Sequence, residues 1–322
     1  MAVYTEIPDS DLVDYLTHYD IGELHSLKGI AEGVENSNYL LSTDAGMHIL
    51  TLYEKRVNRE DLPFFLTLKQ HLSKNGVTCP KPVAMKNGEI LGELADRPSA
   101  IITFLDGNSV KRPAPSHCEQ VGSAIAQMHL AGEGFALSRK NALGPEDWSP
   151  LFQLSRTDAD SIRPGLTAFI DDEIEYLQSN WPHHLPSGVI HADLFPDNVF
   201  FLKGQLSGLI DFYFACNDLF AYDVSICLNA WCFEADYSFN VTKAARLLKG
   251  YNSIRKLSDE EIACLPVLAR GSALRFLLTR LYDWLNVPPG ALVTPKDPTE
   301  YIEKLKFHGN ISNPVEYGLA LL

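Results

Sequence analysis

Nowhere in this sequence do about 18 apolar residues run together, the length that a membrane-spanning helix requires. A basic leader is missing too: MAVYTEIPDSDLVDYL has acids where a signal peptide has lysine or arginine, and no continuous apolar core follows. Export and membrane insertion are not expected, which leaves the cytoplasm as the expected location. Positive charge is scarce, 27 Lys+Arg against 41 Asp+Glu for a net of −14, a balance that repels a nucleic-acid backbone and an anionic membrane surface alike. The partner to expect is a small molecule. Six cysteines (Cys79, Cys118, Cys216, Cys227, Cys232 and Cys264) form no C-x-x-C pair and have no His-rich neighbourhood of the kind zinc needs, so buried, reduced thiols are expected. Also absent are G-x-G-x-x-G, the Walker G-x-x-x-x-G-K-[ST], internal repeats and low-complexity tracts.

What remains is 322 residues, 46% hydrophobic and 21% charged, enough to bury a core in each of two lobes. Ser10 ahead of Leu12, Val13 and Leu16 reads as a short capped helix. Strand-like runs then follow at residues 24–30, 38–42, 48–53, 81–85, 90–94 and 100–104, with one helix at 62–73 between the third and fourth. Pro63 suits that helix's first turn, Gly76 its end, and Lys86-Asn87-Gly88 is a hairpin signal. Past Asp106-Gly107 the pattern turns helical, notably at 221–233, 241–254 and 262–285, interrupted by β runs at 199–202 and 206–210 around Lys203-Gly204-Gln205. The expected fold is α+β. A small antiparallel-sheet lobe spans 1–105 and a larger, mainly helical lobe spans 106–322.

The most informative stretch is His191-Ala192-Asp193-Leu194-Phe195-Pro196-Asp197-Asn198, an H-x-D-x-x-x-x-N spacing on a loop, followed after the β turn by Gly208-Leu209-Ile210-Asp211-Phe212. Phosphoryl transfer explains that order. A loop carboxylate, Asp193, can accept or orient the proton of an attacking hydroxyl, while the Asn198 amide oxygen and the Asp211 carboxylate are the hard oxygen donors that Mg²⁺ prefers. His191 is expected to support the loop by hydrogen bonding, and Asp197 to cap it. A single H-x-D match is often just a polar turn; the Ile-Asp-Phe that follows makes chance a poor explanation.

His191, Asp193, Asn198, Asp211, Asp218 and Asp223, in that order, resemble the catalytic region of the aminoglycoside phosphotransferases, choline kinases and their relatives, which share a two-lobed, protein-kinase-like fold. Within that group, Glu32-Gly33-Val34-Glu35-Asn36-Ser37-Asn38-Tyr39, Leu52-Tyr53-Glu54-Lys55-Arg56, Leu62-Pro63-Phe64-Phe65 and Leu274-Arg275-Phe276 with Thr279-Arg280-Leu281 are similar to the homoserine kinases of this fold. The resemblance spans nearly the whole chain. It implies ATP and Mg²⁺ as cofactors and phosphorylation of L-homoserine, a step toward threonine. Another small-molecule acceptor (choline, methylthioribose or an aminoglycoside) and an ATP-binding module without catalysis are the competing readings.

The resemblance also places a phosphate-covering loop at residues 29–39, where backbone N–H groups at Gly33 and the Asn36, Ser37 and Asn38 side chains serve the triphosphate without adding negative charge. Thr51 stands where the fold has a phosphate-pairing lysine. Either Lys55 or Arg56 reaches in from the strand end, or that cation's role is reduced; a solvated strand end explains the same two residues. Phe104 and Leu105 suit a hinge whose backbone reads adenine. An amino-acid acceptor needs a cation for its carboxylate and an anion or carbonyl for its ammonium. Arg275 and Arg280 interrupt an apolar helix and are candidates, as are Asn36, Tyr39 and Asp218; ion pairs to Asp218, Asp223 or Asp283 would explain the arginines equally well. Asp223 is expected to hold the catalytic loop from the following helix.

Overall fold

The structure is a computed structural model that describes residues 5–30, 36–54, 58–287 and 295–319. The chain divides into two compact units, each with its own packing: Met1–Gly107 with Phe135–Leu137 and Ser207–Tyr213, and the remainder.

The first unit opens with helix α1 (Asp9–Leu16), then strands β1 (Leu24–Gly29), β2 (Ser37–Thr43) and β3 (Gly46–Leu52), helix α2 (Leu62–Lys74), and strands β4 (Gly92–Leu94) and β5 (Arg97–Thr103). The five strands form one antiparallel sheet in the order β1-β2-β3-β5-β4. Burial alternates strictly along β2, so Tyr39 and Leu41 point to one face with Leu50, Leu52 and Ile101. There they meet Leu12, Tyr15 and Leu16 of α1. On the other side Leu62 and Leu66 of α2 pack with Tyr53 and Ala100. Residues 81–85, expected as a strand, meet β5 only irregularly. Val83 N–H donates to Ile101 O and Thr103 N–H to Lys81 O, while Pro82 has no N–H to give, so a single bridge to Ile102 replaces a ladder. The expected hairpin at Lys86-Asn87-Gly88 is present, with Gly88 N–H donating to Met85 O and Met85 N–H to Glu89 O.

The second unit begins with helix α3 (Pro115–Ala131), followed by α4 (Pro145–Gln153), the single turn α5 (Ala159–Ile162) and α6 (Leu166–Asn180). Strand β6 (Ser187–Ile190) comes next, then β7 (Val199–Leu202) and β8 (Gln205–Leu209) in a hairpin, and β9 (Cys216–Leu219) antiparallel to β6. Helices α7 (Phe220–Trp231), α8 (Val241–Ile254), α9 (Asp259–Leu285) and α10 (Thr299–Gly309) complete it. Helix α9 starts three residues earlier than its apolar spacing suggests because Ser258 and Glu261 form a reciprocal cap, each side chain accepting the other's N–H at 3.1 and 2.9 Å. By length and composition α9 could cross a membrane, yet most of it is buried, packed against α4, α6, α7 and α10. Helices α3 and α8 approach closely: a Cβ on Gly122 would stand 2.0 Å from Leu247 O, and one on Gly250 1.9 Å from Glu119 O. Only glycine permits that contact. The six cysteines are all unpaired, five buried and Cys264 half-buried.

Candidate active site

Strand β6 ends at Ile190 and delivers His191, Ala192, Asp193 and Leu194 onto a loop that closes in a 3₁₀ turn, Pro196–Asn198, before β7 begins. Loop backbone in a protein interior leaves N–H and C=O groups to be satisfied by side chains. Here several are. Buried Asp223, in the first turn of α7, accepts the His191 N–H at 2.8 Å through Oδ2 and the Ala192 N–H at 2.9 Å through Oδ1. Arg275 of α9, itself buried, donates to the Ala192 carbonyl. The Asn198 amide donates to the Asp193 carbonyl at 2.8 Å, and Trp231 Nε1 donates to the Leu194 carbonyl at 2.7 Å. Ala192 sits at φ +61°, a conformation an L-residue adopts only where its surroundings dictate it.

These bonds fix one carboxylate. Asn198 Nδ2 also donates to Asp193 Oδ2 at 3.1 Å, and Asp193 N–H faces His191 Nδ1 at 3.3 Å. His191 itself is fully buried. Behind it runs a relay that the sequence reading did not include: Arg255 donates to the Tyr251 hydroxyl at 3.1 Å, that hydroxyl faces His129 Nδ1 at 2.9 Å, and His129 Nε2 faces Asp223 Oδ2 at 3.0 Å. Because Tyr251 accepts from arginine, its own proton points to Nδ1, so His129 is neutral and donates from Nε2. Burial keeps the His129 ring below its ordinary pKa. Burial also works to raise Asp223, but the hydrogen bonds it accepts from His129 and the His191 N–H outweigh it and hold the carboxylate below its ordinary pKa. His129 could have been read from the sequence, since it falls four residues after Ile125 on the apolar face of α3.

Asp218 on β9 accepts from Asn141 Nδ2 at 2.7 Å and from the Leu219 N–H at 2.7 Å. Burial raises its pKa despite those bonds. Arg275 and Asp218 lie within electrostatic reach of each other and of the buried Tyr222 hydroxyl, which has no hydrogen-bond partner among the described residues. For Arg280 the ion-pair partner is none of the expected aspartates but Glu300 at 2.6 Å, and Glu300 also holds Lys304 at 2.6 Å. Arg280 and Lys304 lie over the Tyr301 ring, 4.4 and 4.6 Å from its centre, and the Asp193 charge also acts on its hydroxyl.

In the first unit, Asn36, Ser37 and Tyr39 form one polar cluster with Thr5 and Glu54, while Asn38 bonds to Thr51. Ser37 donates to Glu54 Oε1 at 2.7 Å, Asn36 Oδ1 faces the Glu54 N–H at 3.3 Å, and Tyr39 donates to the Thr5 carbonyl. Thr51 donates to Asn38 Oδ1 at 2.8 Å, so the β3 position expected to hold a cation is closed by a neutral bond. Gly33, Lys55 and Arg56 lie outside the described residues. Phe104, exposed at 42%, and half-buried Leu105 follow β5 directly. Gly208 lets the chain before Asp211 pass close to Leu105 and Thr78, where a Cβ would stand 2.8 and 2.7 Å away. Asp211 itself sits at φ +62°.

Residues 26–257 match the model of the phosphotransferase enzyme family. A homoserine kinase of Rhizobium johnstonii is 61% identical over 321 residues, covering 100% of both chains. Another, from Rhodospirillum rubrum, is 60% identical over 320 residues, covering 99% of this chain and 100% of that one. Among solved structures, a spectinomycin phosphotransferase in complex with ADP and spectinomycin aligns with a TM-score of 0.69 at 16% identity, covering 98% of this chain and 99% of that one, so the α+β, kinase-like fold is shared. Full-length identity of this order, with the family match, makes the chain an enzyme of the phosphotransferase enzyme family, of the same kind as the homoserine kinases.

Proposed function

We propose that this chain transfers the γ-phosphoryl group of ATP to the side-chain hydroxyl of L-homoserine, giving O-phospho-L-homoserine for threonine synthesis in the cytoplasm. The observation that carries the proposal is the Asp193 carboxylate, steadied by the Asn198 amide on a loop whose backbone is bonded to buried side chains. A group held this rigidly suits chemistry that depends on orientation. Asp193 takes the role of base, accepting the proton of the attacking hydroxyl. The first unit, within residues 1–105, is assigned to the nucleotide, with Gly33, Asn36, Ser37, Asn38 and Lys55 toward the phosphates and Phe104 and Leu105 toward adenine. Residues 106–322 are assigned to catalysis and the acceptor.

Among the described residues no three His, Cys, Asp or Glu side chains cluster as a ready-made metal site. That fits magnesium, which is commonly held by one or two protein oxygens together with substrate phosphates. Asn198 and Asp211 are the proposed ligands, and a bound ion supplies neutralisation of the phosphoryl oxygens. For the acceptor, Asp218 suits an ammonium: burial has raised its pKa, and an incoming cation would favour its charged form. Arg275 and the net positive Arg280–Glu300–Lys304 triad suit a carboxylate. Asn36 and Tyr39 are further acceptor candidates.

The test is ADP formation with L-homoserine, L-serine, L-threonine and choline under matched conditions. Homoserine should exceed the others by orders of magnitude in kcat/KM, whereas a preference for choline would overturn the acceptor assignment. ATP binding without ADP release on any of the four would favour the non-catalytic module.

A further inference from the structure

Helix α2 buries a residue that its apolar face should exclude. Lys69 falls four residues after Phe65 and three before Leu72, on the side that packs inward, and it is 4% exposed. Among the described residues of the first unit it is the one buried lysine or arginine. Its ammonium lies 5.5 Å from the centre of the Tyr213 ring. That ring is braced edge-on by Tyr53 at 5.8 Å and by Phe65 at 5.6 Å. Cys79 Sγ–H donates to the lysine's own carbonyl at 3.6 Å. No carboxylate among the described residues comes within ion-pair distance of Nζ; the charge of Asp211 acts on it from beyond that distance.

An ammonium buried without a contact counter-ion costs several kcal/mol, of which a cation–π contact offsets about 1–2 kcal/mol. Methionine would fill the same volume without that penalty. Charge, not volume, therefore accounts for lysine at this position.

We propose that Lys69 is a nucleotide-binding residue whose ammonium takes anionic oxygens of a polyphosphate held at Asp211. The inference rests on the reading of the chain as an ATP-dependent kinase with Asp211 as a magnesium ligand. Charge balance selects the ligand class. A divalent cation on Asp211 alone would cancel the attraction that Asp211 exerts on Lys69 and leave two cations facing each other. A metal–polyphosphate brings several anionic oxygens along with the metal, and these neutralise both. Strand β3 offers no substitute, since Thr51 is bonded to Asn38.

The experiment is calorimetric titration of the full chain with Mg-ATP, comparing wild type with Lys69→Met and Lys69→Arg. Lys69→Met should raise the Kd for Mg-ATP by about 10- to 100-fold while leaving the KM for the acceptor alcohol nearly unchanged, and Lys69→Arg should recover part of the loss. Without nucleotide, Lys69→Met should melt no lower than wild type, because it removes a buried charge, and the rise in Tm on adding Mg-ATP should shrink. Equal Mg-ATP affinity in wild type and Lys69→Met overturns the role of Lys69 and leaves the kinase reading standing. A wild type that binds no Mg-ATP overturns the kinase reading itself. Should the methionine variant fail to fold, an acyl-phosphate derivative of ATP decides the matter on the wild-type chain. The acyl group leaves phosphate oxygen for Nζ, forming an amide and releasing ATP. An amide at Lys69 that excess ATP suppresses supports the proposal, and labelling confined to other lysines overturns it.

Discussion

Removing the carboxylate of Asp223 should disable the enzyme without touching a reacting atom. Three donors converge on that side chain, the His191 and Ala192 N–H groups at 2.8 and 2.9 Å and His129 Nε2 at 3.0 Å, and all four residues are buried. In Asp223→Ala each donor loses its acceptor where water has little access, at about 1–3 kcal/mol apiece. Partial relaxation brings the total to about 3–5 kcal/mol, the range for breaking a buried charged pair. For a chain of this size that lowers Tm by about 4–7 °C. Asp223→Asn keeps the shape, but its NH₂ faces donors instead of accepting from them, so it should lose nearly as much. The catalytic consequence is larger. Asp193 is two residues from His191 on the released loop, and a misplacement of about 1 Å costs on the order of 100-fold in rate. Differential scanning fluorimetry and a coupled ADP assay read both effects. An Asp223→Asn enzyme with wild-type kcat and a Tm within about 2 °C of wild type would refute the view that this carboxylate holds the loop.

Asp193→Asn should abolish turnover yet spare Mg-ATP affinity, because it removes a proton acceptor and not a phosphate contact; near-normal kcat would reject its role as base. Gly250→Ala should destabilise by at least about 3 kcal/mol, or prevent soluble expression, since its new methyl group would stand 1.9 Å from the Glu119 carbonyl; a thermal melt matching wild type would show that α3 and α8 can separate cheaply. Stability should fall as pH drops below about 6.5. His308 is buried between the Tyr317 hydroxyl at 2.7 Å and Asn229 Oδ1 at 3.0 Å, and burial pushes its pKa down to about 3. Between those two pH values the unfolded chain binds a proton that the folded chain refuses, so His308 alone should withdraw about 1.4 kcal/mol per pH unit. Urea unfolding at pH 7 and pH 5 checks it, and a His308→Gln variant with an unchanged pH slope would remove His308 as the cause.

Local chemistry made much of this protein readable in one dimension. The strand run at 38–42, Pro63 at the start of α2, the Asn87-Gly88 turn and the bond between Asp193 and Asn198 each depend on neighbours a few positions away, and each is found in the structure. Residues 81–85 misled because an apolar run says nothing of hydrogen bonding, and Pro82 withholds the N–H that a ladder requires. Partners that meet only in three dimensions were not legible. Glu300, 20 residues beyond Arg280, is an unremarkable acid in the sequence, as Asn141 is 77 residues before Asp218. Lys69 and His129 occupy a middle ground: each is a polar residue on an inward-facing helical stripe, a pattern that marks a site without naming its partner.

The glycine contact between α3 and α8 bears on more than stability. His129 rides on α3 and Tyr251 on α8, so the relay from Arg255 to Asp223 crosses the seam where the two backbones nearly touch. Any residue that wedges those helices apart pulls the histidine from the aspartate before it reaches the loop. Variation at positions 122 and 250 should therefore slow turnover in whatever protein still folds, so that an outwardly structural joint also bears on rate.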